Sequence, residues 1–184
     1  MDHFYEDVYG FSGVDLFALY KKMVDRFDSG SHFVEVGAFL GRSAVFMAVE
    51  IINSGKNIKF DCIDHWQGSE EHNNNDEVNL ERLYEDFLEN IKPVKDIINP
   101  IRANSIDASK LYKPNSLDFV FIDASHDELS VKADLTYWMP RVKEDGVIAG
   151  DDLNNEGVAN AVKWFFDSEK LDIVGRQWMV DLGQ

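Results

Sequence analysis

The segment Leu117-Asp118-Phe119-Val120-Phe121-Ile122 constrains the fold more than any other part of the chain. Successive strand residues point to opposite faces of a sheet, so apolar side chains at the consecutive positions 119–122 need apolar cover on both faces. A central strand between two layers of helices provides that cover. Phe33-Val34-Glu35-Val36, Phe60-Asp61-Cys62-Ile63 and Val147-Ile148-Ala149 read as further short strands. Helical patterns stand between them, at roughly 43–53, 77–91, 128–139 and 156–169; in the last, Val158, Val162, Phe165 and Phe166 recur at helical spacing. An opening helix over 14–27 carries Leu16, Leu19, Tyr20, Met23, Val24 and Phe27 as a core-facing stripe. Strand alternating with helix is the pattern of an α/β domain with a parallel sheet. Leu171–Val174 and Gln177–Val180 flank Gly175-Arg176 and read as a hairpin that adds one antiparallel strand at the sheet edge.

Composition narrows the function classes. With 184 residues, 45% of them hydrophobic and 12% aromatic, the chain is expected to form one domain over 1–184 with a substantial core. Eighteen basic against 34 acidic residues give a net charge of −16. That argues against affinity won by neutralising nucleic-acid phosphates or anionic lipid, so neither nucleic acid nor membrane is an expected partner. Cys62 is the single cysteine and cannot form an intrachain disulfide. Met1–Asp7 lacks the basic start and apolar run of a secretory signal, and no apolar stretch approaches the ~20 residues of a membrane span. The expected location is the cytoplasm. The polar stretch Gln67–Asp76 reads either as a surface loop or as an active-site lid.

Ligands of open parallel sheets bind beyond the carboxyl ends of the strands, so the residues there matter most. The first strand ends in Glu35-Val36-Gly37-Ala38-Phe39-Leu40-Gly41-Arg42-Ser43, where Gly37 and Gly41 either admit a ligand to the backbone or simply make the turn. A triphosphate loop would end in Gly-Lys-Ser/Thr, and a dinucleotide loop would carry glycine where Ala38-Phe39 stands. Asp64 closes the second strand, 27 positions after Gly37, where an acid can accept hydrogen bonds from both ribose hydroxyls. Asp123 follows the central strand and Asp151-Asp152 follow Gly150. Three carboxylates at one mouth repel unless a cation or protons compensate, and an oxygen-only set suits Mg²⁺, Mn²⁺ or Ca²⁺. A plainer reading keeps Asp152, Asn154 or Asn155 as a cap for the next helix.

Glu35-x-Gly37-x-x-x-Gly41-x-Ser43, Asp64, Phe121-Ile122-Asp123 and Gly146–Asp152 together resemble class I S-adenosylmethionine-dependent methyltransferases, and among them the metal-dependent O-methyltransferases. The first loop is similar to that of caffeoyl-coenzyme A and catechol O-methyltransferases. The segment Ile122–Asp152, with His126 and the paired aspartates, is more similar to the macrocin O-methyltransferase and cephalosporin hydroxylase group. The likeness spans roughly 30–165. It implies a Rossmann-like, doubly wound and mostly parallel sheet with a C-terminal antiparallel strand. It implies that Glu35, Gly37, Gly41 and Ser43 surround the methionine part of S-adenosylmethionine, that Asp64 holds the ribose with His65 packed beside the nucleoside, and that Ser105 lies near the adenine. Asp123, Asp151 and Asp152 match the metal ligands, with Mg²⁺ the first candidate. Where catechol-type relatives have a catalytic lysine, three positions after the first metal aspartate, this chain has His126.

The implied reaction is methyl transfer to a small hydroxylated acceptor, the hydroxyl activated by a divalent ion and by His126 as base, with Asp123 beside both. Two other readings compete: a nicotinamide-dependent oxidoreductase, and a nucleoside-binding module without turnover. The acceptor is not legible in the sequence, and a homo-oligomer remains open.

Overall fold

The computed structural model describes residues 1–68 and 78–184; most of the polar stretch 67–76 lies outside them. A seven-stranded sheet runs in the order β3-β2-β1-β4-β5-β7-β6. The strands are β1 (His32–Val36), β2 (Lys59–Asp64), β3 (Ile98–Arg102), β4 (Leu117–Ile122), β5 (Val142–Gly150), β6 (Asp172–Val174) and β7 (Gln177–Asp181). The first five are mutually parallel, while β7 pairs antiparallel with both β5 and β6. This is the doubly wound, mostly parallel sheet with a C-terminal antiparallel strand that the sequence predicts.

The apolar run of β4 does what its pattern requires. Phe119 and Phe121 face α1 (Val14–Arg26), α2 (Arg42–Ser54) and α3 (Leu83–Asn90), together with Phe33, Phe60 and Cys62. Val120 and Ile122 face α4 (Ser105–Ser109), α5 (Glu128–Trp138) and α6 (Glu156–Phe165), together with Val34, Val36 and Ile148. The chain crosses from one face to the other between β1 and β4, which leaves a mouth above the carboxyl ends of these strands.

Several expected elements shift. The helix read at 77–91 begins only at Leu83, after a 3-10 turn over Leu80–Arg82 whose Glu81 N–H is capped by Asn79. The helix read at 156–169 stops at Phe165, because Phe166 takes extended backbone angles. The run Ile97–Ile101 supplies the edge strand β3, which tolerates Pro100 because a proline at an edge need not sacrifice an inter-strand hydrogen bond. At the opposite end of the sheet from the mouth, Asp61 accepts hydrogen bonds from Tyr112 Oη (2.7 Å) and Asn99 Nδ2 (2.9 Å) and pairs with His32 Nε2 (2.8 Å). No helix among the described residues is long and apolar enough to cross a membrane.

Candidate active site

The turn after β1 is built around the protein's own backbone. Gly37 has φ +96°, and a Cβ there would stand 1.8 Å from the Asp123 carbonyl oxygen, so the close approach of β4 alone demands glycine. Gly41, at φ +90°, starts α2 from the left-handed region with the Phe87 ring packed beside it. Between them Phe39 is held at φ +45°, an uncommon conformation for such a side chain. Asp64 stabilises it: Oδ2 accepts from Phe39 N–H (2.9 Å) and Oδ1 from Trp66 N–H (2.7 Å), while the Trp66 indole donates to the Phe39 carbonyl (2.7 Å). Asp64 thus ties the turns after β1 and β2 together and still lines the cavity above them. His65, beside it, also lines the cavity, and its Nδ1 accepts from Gln67 N–H (2.9 Å).

Glu35 departs from expectation. Strand alternation turns it toward α2, where it is 1% exposed and outside the cavity lining. Its Oε1 accepts from Ser43 Oγ (2.6 Å), and Oε2 is buried with no hydrogen-bond partner in good geometry among the described residues. Burial pushes this carboxyl up to about 7. Ser43 lines the cavity and Glu35 supports it from behind.

The two acids after β5 point in different directions. Asp151 continues the pairing with β4, its N–H donating to the Ile122 carbonyl, and its side chain turns inward at 3% exposure. There Oδ1 accepts from Gln177 Nε2 (3.0 Å) and Asp152 N–H (2.7 Å), and Oδ2 lies 2.9 Å from the Arg176 guanidinium at an angle outside hydrogen-bond geometry. Asp152 takes φ +57° and swings out, placing Oδ2 2.9 Å from His126 Nε2 and Oδ1 3.4 Å from Arg176 Nη1. The His126 contact, aided by Arg176, holds the Asp152 carboxyl below the usual range. Burial, with the charges of Asp151, Asp152 and Glu35, drives the Asp123 carboxyl well above it.

Ligand atoms of Asp123, His126 and Asp152 lie within 4.8 Å of one another. The group that converges is therefore two aspartates and a histidine, with Asp151 engaged by Gln177 and Arg176 behind it. Donors at this separation match what a single ion with bonds of about 2.0–2.3 Å requires. The imidazole changes the preference from an oxygen-only, Mg²⁺-type set toward Mn²⁺, Fe²⁺ or Zn²⁺.

A cavity of about 630 Å³ joins these parts, from Asp64 and Ser105 past Gly37 to Asp123, His126 and Asp152. Three features of it escaped the sequence reading. Residues Tyr9–Ser12 form one wall, tied down by Arg42 Nη1 to the Val8 carbonyl (3.0 Å) and Arg176 Nη2 to the Phe11 carbonyl (2.9 Å). Arg176 arrives from the tip of the β6–β7 hairpin, far in sequence from everything it touches. Asp134 of α5 lines the cavity too, and a signal for it existed: it shares the stripe Val131, Leu135, Trp138 at helical spacing.

No curated protein matches the chain in sequence. Solved structures resemble it in fold. The O-methyltransferase NovP superposes with a TM-score of 0.69 at 16% identity, covering 92% of this chain and 80% of NovP. The O-methyltransferase TomG from Streptomyces achromogenes, involved in tomaymycin synthesis and solved with SAM, gives 0.67 at 14% identity, over 95% and 82%. An O-methyltransferase from Bacillus cereus in complex with SAH gives 0.59 at 18%, over 90% and 78%. A model of the methyltransferase-domain family matches residues 34–153, well over half of the chain and a span that takes in Gly37, Asp64, Ser105, Asp123 and the Asp151-Asp152 pair. The fold is that of class I S-adenosylmethionine-dependent methyltransferases, and the chain belongs to the methyltransferase-domain family.

Proposed function

We propose that the chain is an S-adenosylmethionine-dependent O-methyltransferase acting on a small hydroxylated acceptor. The observation that carries this is one continuous cavity of about 630 Å³, with Asp64 and Ser105 lining one end and an Asp–His–Asp group at the other. S-adenosylmethionine supplies an electrophilic methyl group, so the protein's work is orientation and proton removal. Asp64 accepts from the ribose hydroxyls with the lone pairs its two backbone bonds leave over. The Gly37 turn lets the methionine end approach β4. His126 takes the acceptor's proton on its imidazole, which the Asp152 carboxylate orients and stabilises once charged. The wall formed by Tyr9–Ser12 keeps water from the methyl group. A divalent ion would be held by Asp123, Asp152 and an imidazole nitrogen of His126; it would then supply Lewis-acid polarisation of the hydroxyl in place of proton removal by His126, whose one free lone pair cannot serve both roles. Arg176 balances part of the acidic charge on the Asp151–Asp152 side.

The neighbours TomG and the Bacillus cereus enzyme, solved with SAM and SAH, support the donor assignment by fold. A nicotinamide cofactor fits less well, because Ala38-Phe39 occupies the place of the second dinucleotide glycine. The test is calorimetric titration with S-adenosylhomocysteine and with NAD, each with and without Mn²⁺ or Mg²⁺. Saturable heat with S-adenosylhomocysteine and none with NAD is expected. Ligand at 100 times Kd should add about 2.7 kcal/mol of stability. Heat from NAD alone would reject the assignment.

A further inference from the structure

An aspartate on the inner stripe of a helix is costly unless something polar meets it. Val131, Asp134, Leu135 and Trp138 all lie on the buried side of α5, and Asp134 is only 4% exposed. Its Oδ1 accepts from the Ser105 hydroxyl, whose oxygen in turn accepts from the Trp138 indole N–H (2.8 Å). Its Oδ2 makes no hydrogen bond with any described residue and is not among the fully buried partnerless atoms, so it is reached from the cavity that Asp134 lines. The Ser105–Trp138 arrangement therefore fixes one oxygen and leaves the other to a ligand. Burial also pushes the carboxyl up to about 6 against the pull of the Ser105 bond.

The sheet order says which part of a ligand arrives there. Moving outward from β4, the strand ends present Asp123, then Gly37 of β1, then Asp64 of β2, then Ala103 and Ser105 after β3. A nucleoside with its ribose on Asp64 and its 5′ substituent toward Asp123 must seat its base beyond Asp64, between the β3–α4 turn and α5. The group of an adenine that a carboxylate oxygen can accept from is the exocyclic 6-amino group.

We infer that Asp134 is a specificity-determining residue of the donor site, its Oδ2 accepting a hydrogen bond from the 6-amino group of the adenine. The inference rests on the S-adenosylmethionine reading above. It assigns Asp134 to base recognition, whereas a merely structural Asp134 would only brace Ser105 against Trp138.

The two roles separate with S-inosylhomocysteine, which carries a carbonyl where adenine carries the amino group. Opposite Asp134 that carbonyl would set acceptor against acceptor. Wild-type protein should bind S-adenosylhomocysteine about 10–100 times more tightly than the inosyl analogue, the range of one hydrogen bond to a charged group. Asp134→Asn keeps the shape and an acceptor for Ser105 but offers an amide N–H to the carbonyl, so the preference should shrink to within about threefold. A wild-type preference that persists unchanged in Asp134→Asn overturns the inference and leaves the donor assignment standing. Failure of wild-type protein to bind either compound overturns both. Should Asp134→Asn not fold by circular dichroism, a crystal structure of wild type with S-adenosylhomocysteine decides. An amino nitrogen within about 3.2 Å of Oδ2 supports the inference, and one beyond hydrogen-bond reach overturns it.

Discussion

Asp64 ties the turns after β1 and β2 together and, in the proposed function, also holds the donor's ribose, so Asp64→Asn perturbs both at once. The carboxylate accepts one backbone N–H on each oxygen, from Phe39 at 2.9 Å and from Trp66 at 2.7 Å. The side chain is 16% exposed, so water replaces these bonds poorly. Asparagine has one acceptor oxygen and must turn its NH₂ toward the other N–H. One charge-assisted bond is then lost, a cost of about 1.5–3 kcal/mol. Phe39, at φ +45°, then keeps the Trp66 indole on its carbonyl but loses a backbone bond that helps hold its uncommon conformation. For a chain of this size such a loss lowers the melting temperature by roughly 3–12 °C. The assay is a thermal melt without ligand, followed by titration with S-adenosylhomocysteine. The variant should melt early and also bind more weakly, because the turn and the ribose contact fail together. An Asp64→Asn protein that melts with wild type in the absence of ligand would refute the tie between the two turns.

Other substitutions probe separate parts of the account. A raised carboxyl such as Glu35 favours folding below its unfolded pKa, and that advantage is lost as pH climbs through the folded value. Glu35→Gln should therefore match wild type near pH 4 and exceed it at pH 8; a rise from 4.5 to about 7 corresponds to an order of 3 kcal/mol, readable in urea melts at the two pH values. Gly37→Ala places a methyl 1.8 Å from the Asp123 carbonyl, so β4 must retreat; loss of S-adenosylhomocysteine binding with a lowered melting point is expected, and a variant that binds normally contradicts the packing. Asp61, though burial opposes it, is held low by His32, Asn99 and Tyr112, so its contribution is present above about pH 4 and fades below; Asp61→Asn should flatten the loss of stability on acidification. Once an acceptor is in hand, His126→Ala should cut kcat by about 10²–10⁴-fold at nearly constant cofactor affinity, and a smaller loss would return His126 to a supporting role.

The central strands were legible because burial on both faces leaves an unbroken apolar run, and Phe119–Ile122 has one. The turn glycines, Asp64, Asp123 and Asp152 were legible because strand ends in a parallel sheet open on one mouth. The division of labour between Asp151 and Asp152 was not legible. It depends on one left-handed residue, φ +57° at Asp152, that sends neighbouring carboxylates opposite ways. Glu35 sits in the motif but its strand parity turns it behind the wall, which becomes visible only when register is known. Arg176 and the Tyr9–Ser12 wall reach the cavity through tertiary contacts between the two ends of the chain, and no local pattern encodes those. Asp134 was within reach of pattern reading, since an acid on a helical core stripe is an anomaly that invites a reason.

The position of the bound donor tests the proposed chemistry most directly. A crystal structure with S-adenosylhomocysteine should show the ribose hydroxyls on the Asp64 carboxylate and the sulfur facing Asp123, His126 and Asp152. The sulfur should stand roughly 5 Å from the space for an acceptor oxygen beside that group, a methyl bond plus a near-attack distance of about 3 Å. A ligand bound elsewhere, or seated with its sulfur turned away from that group, would contradict the proposed chemistry.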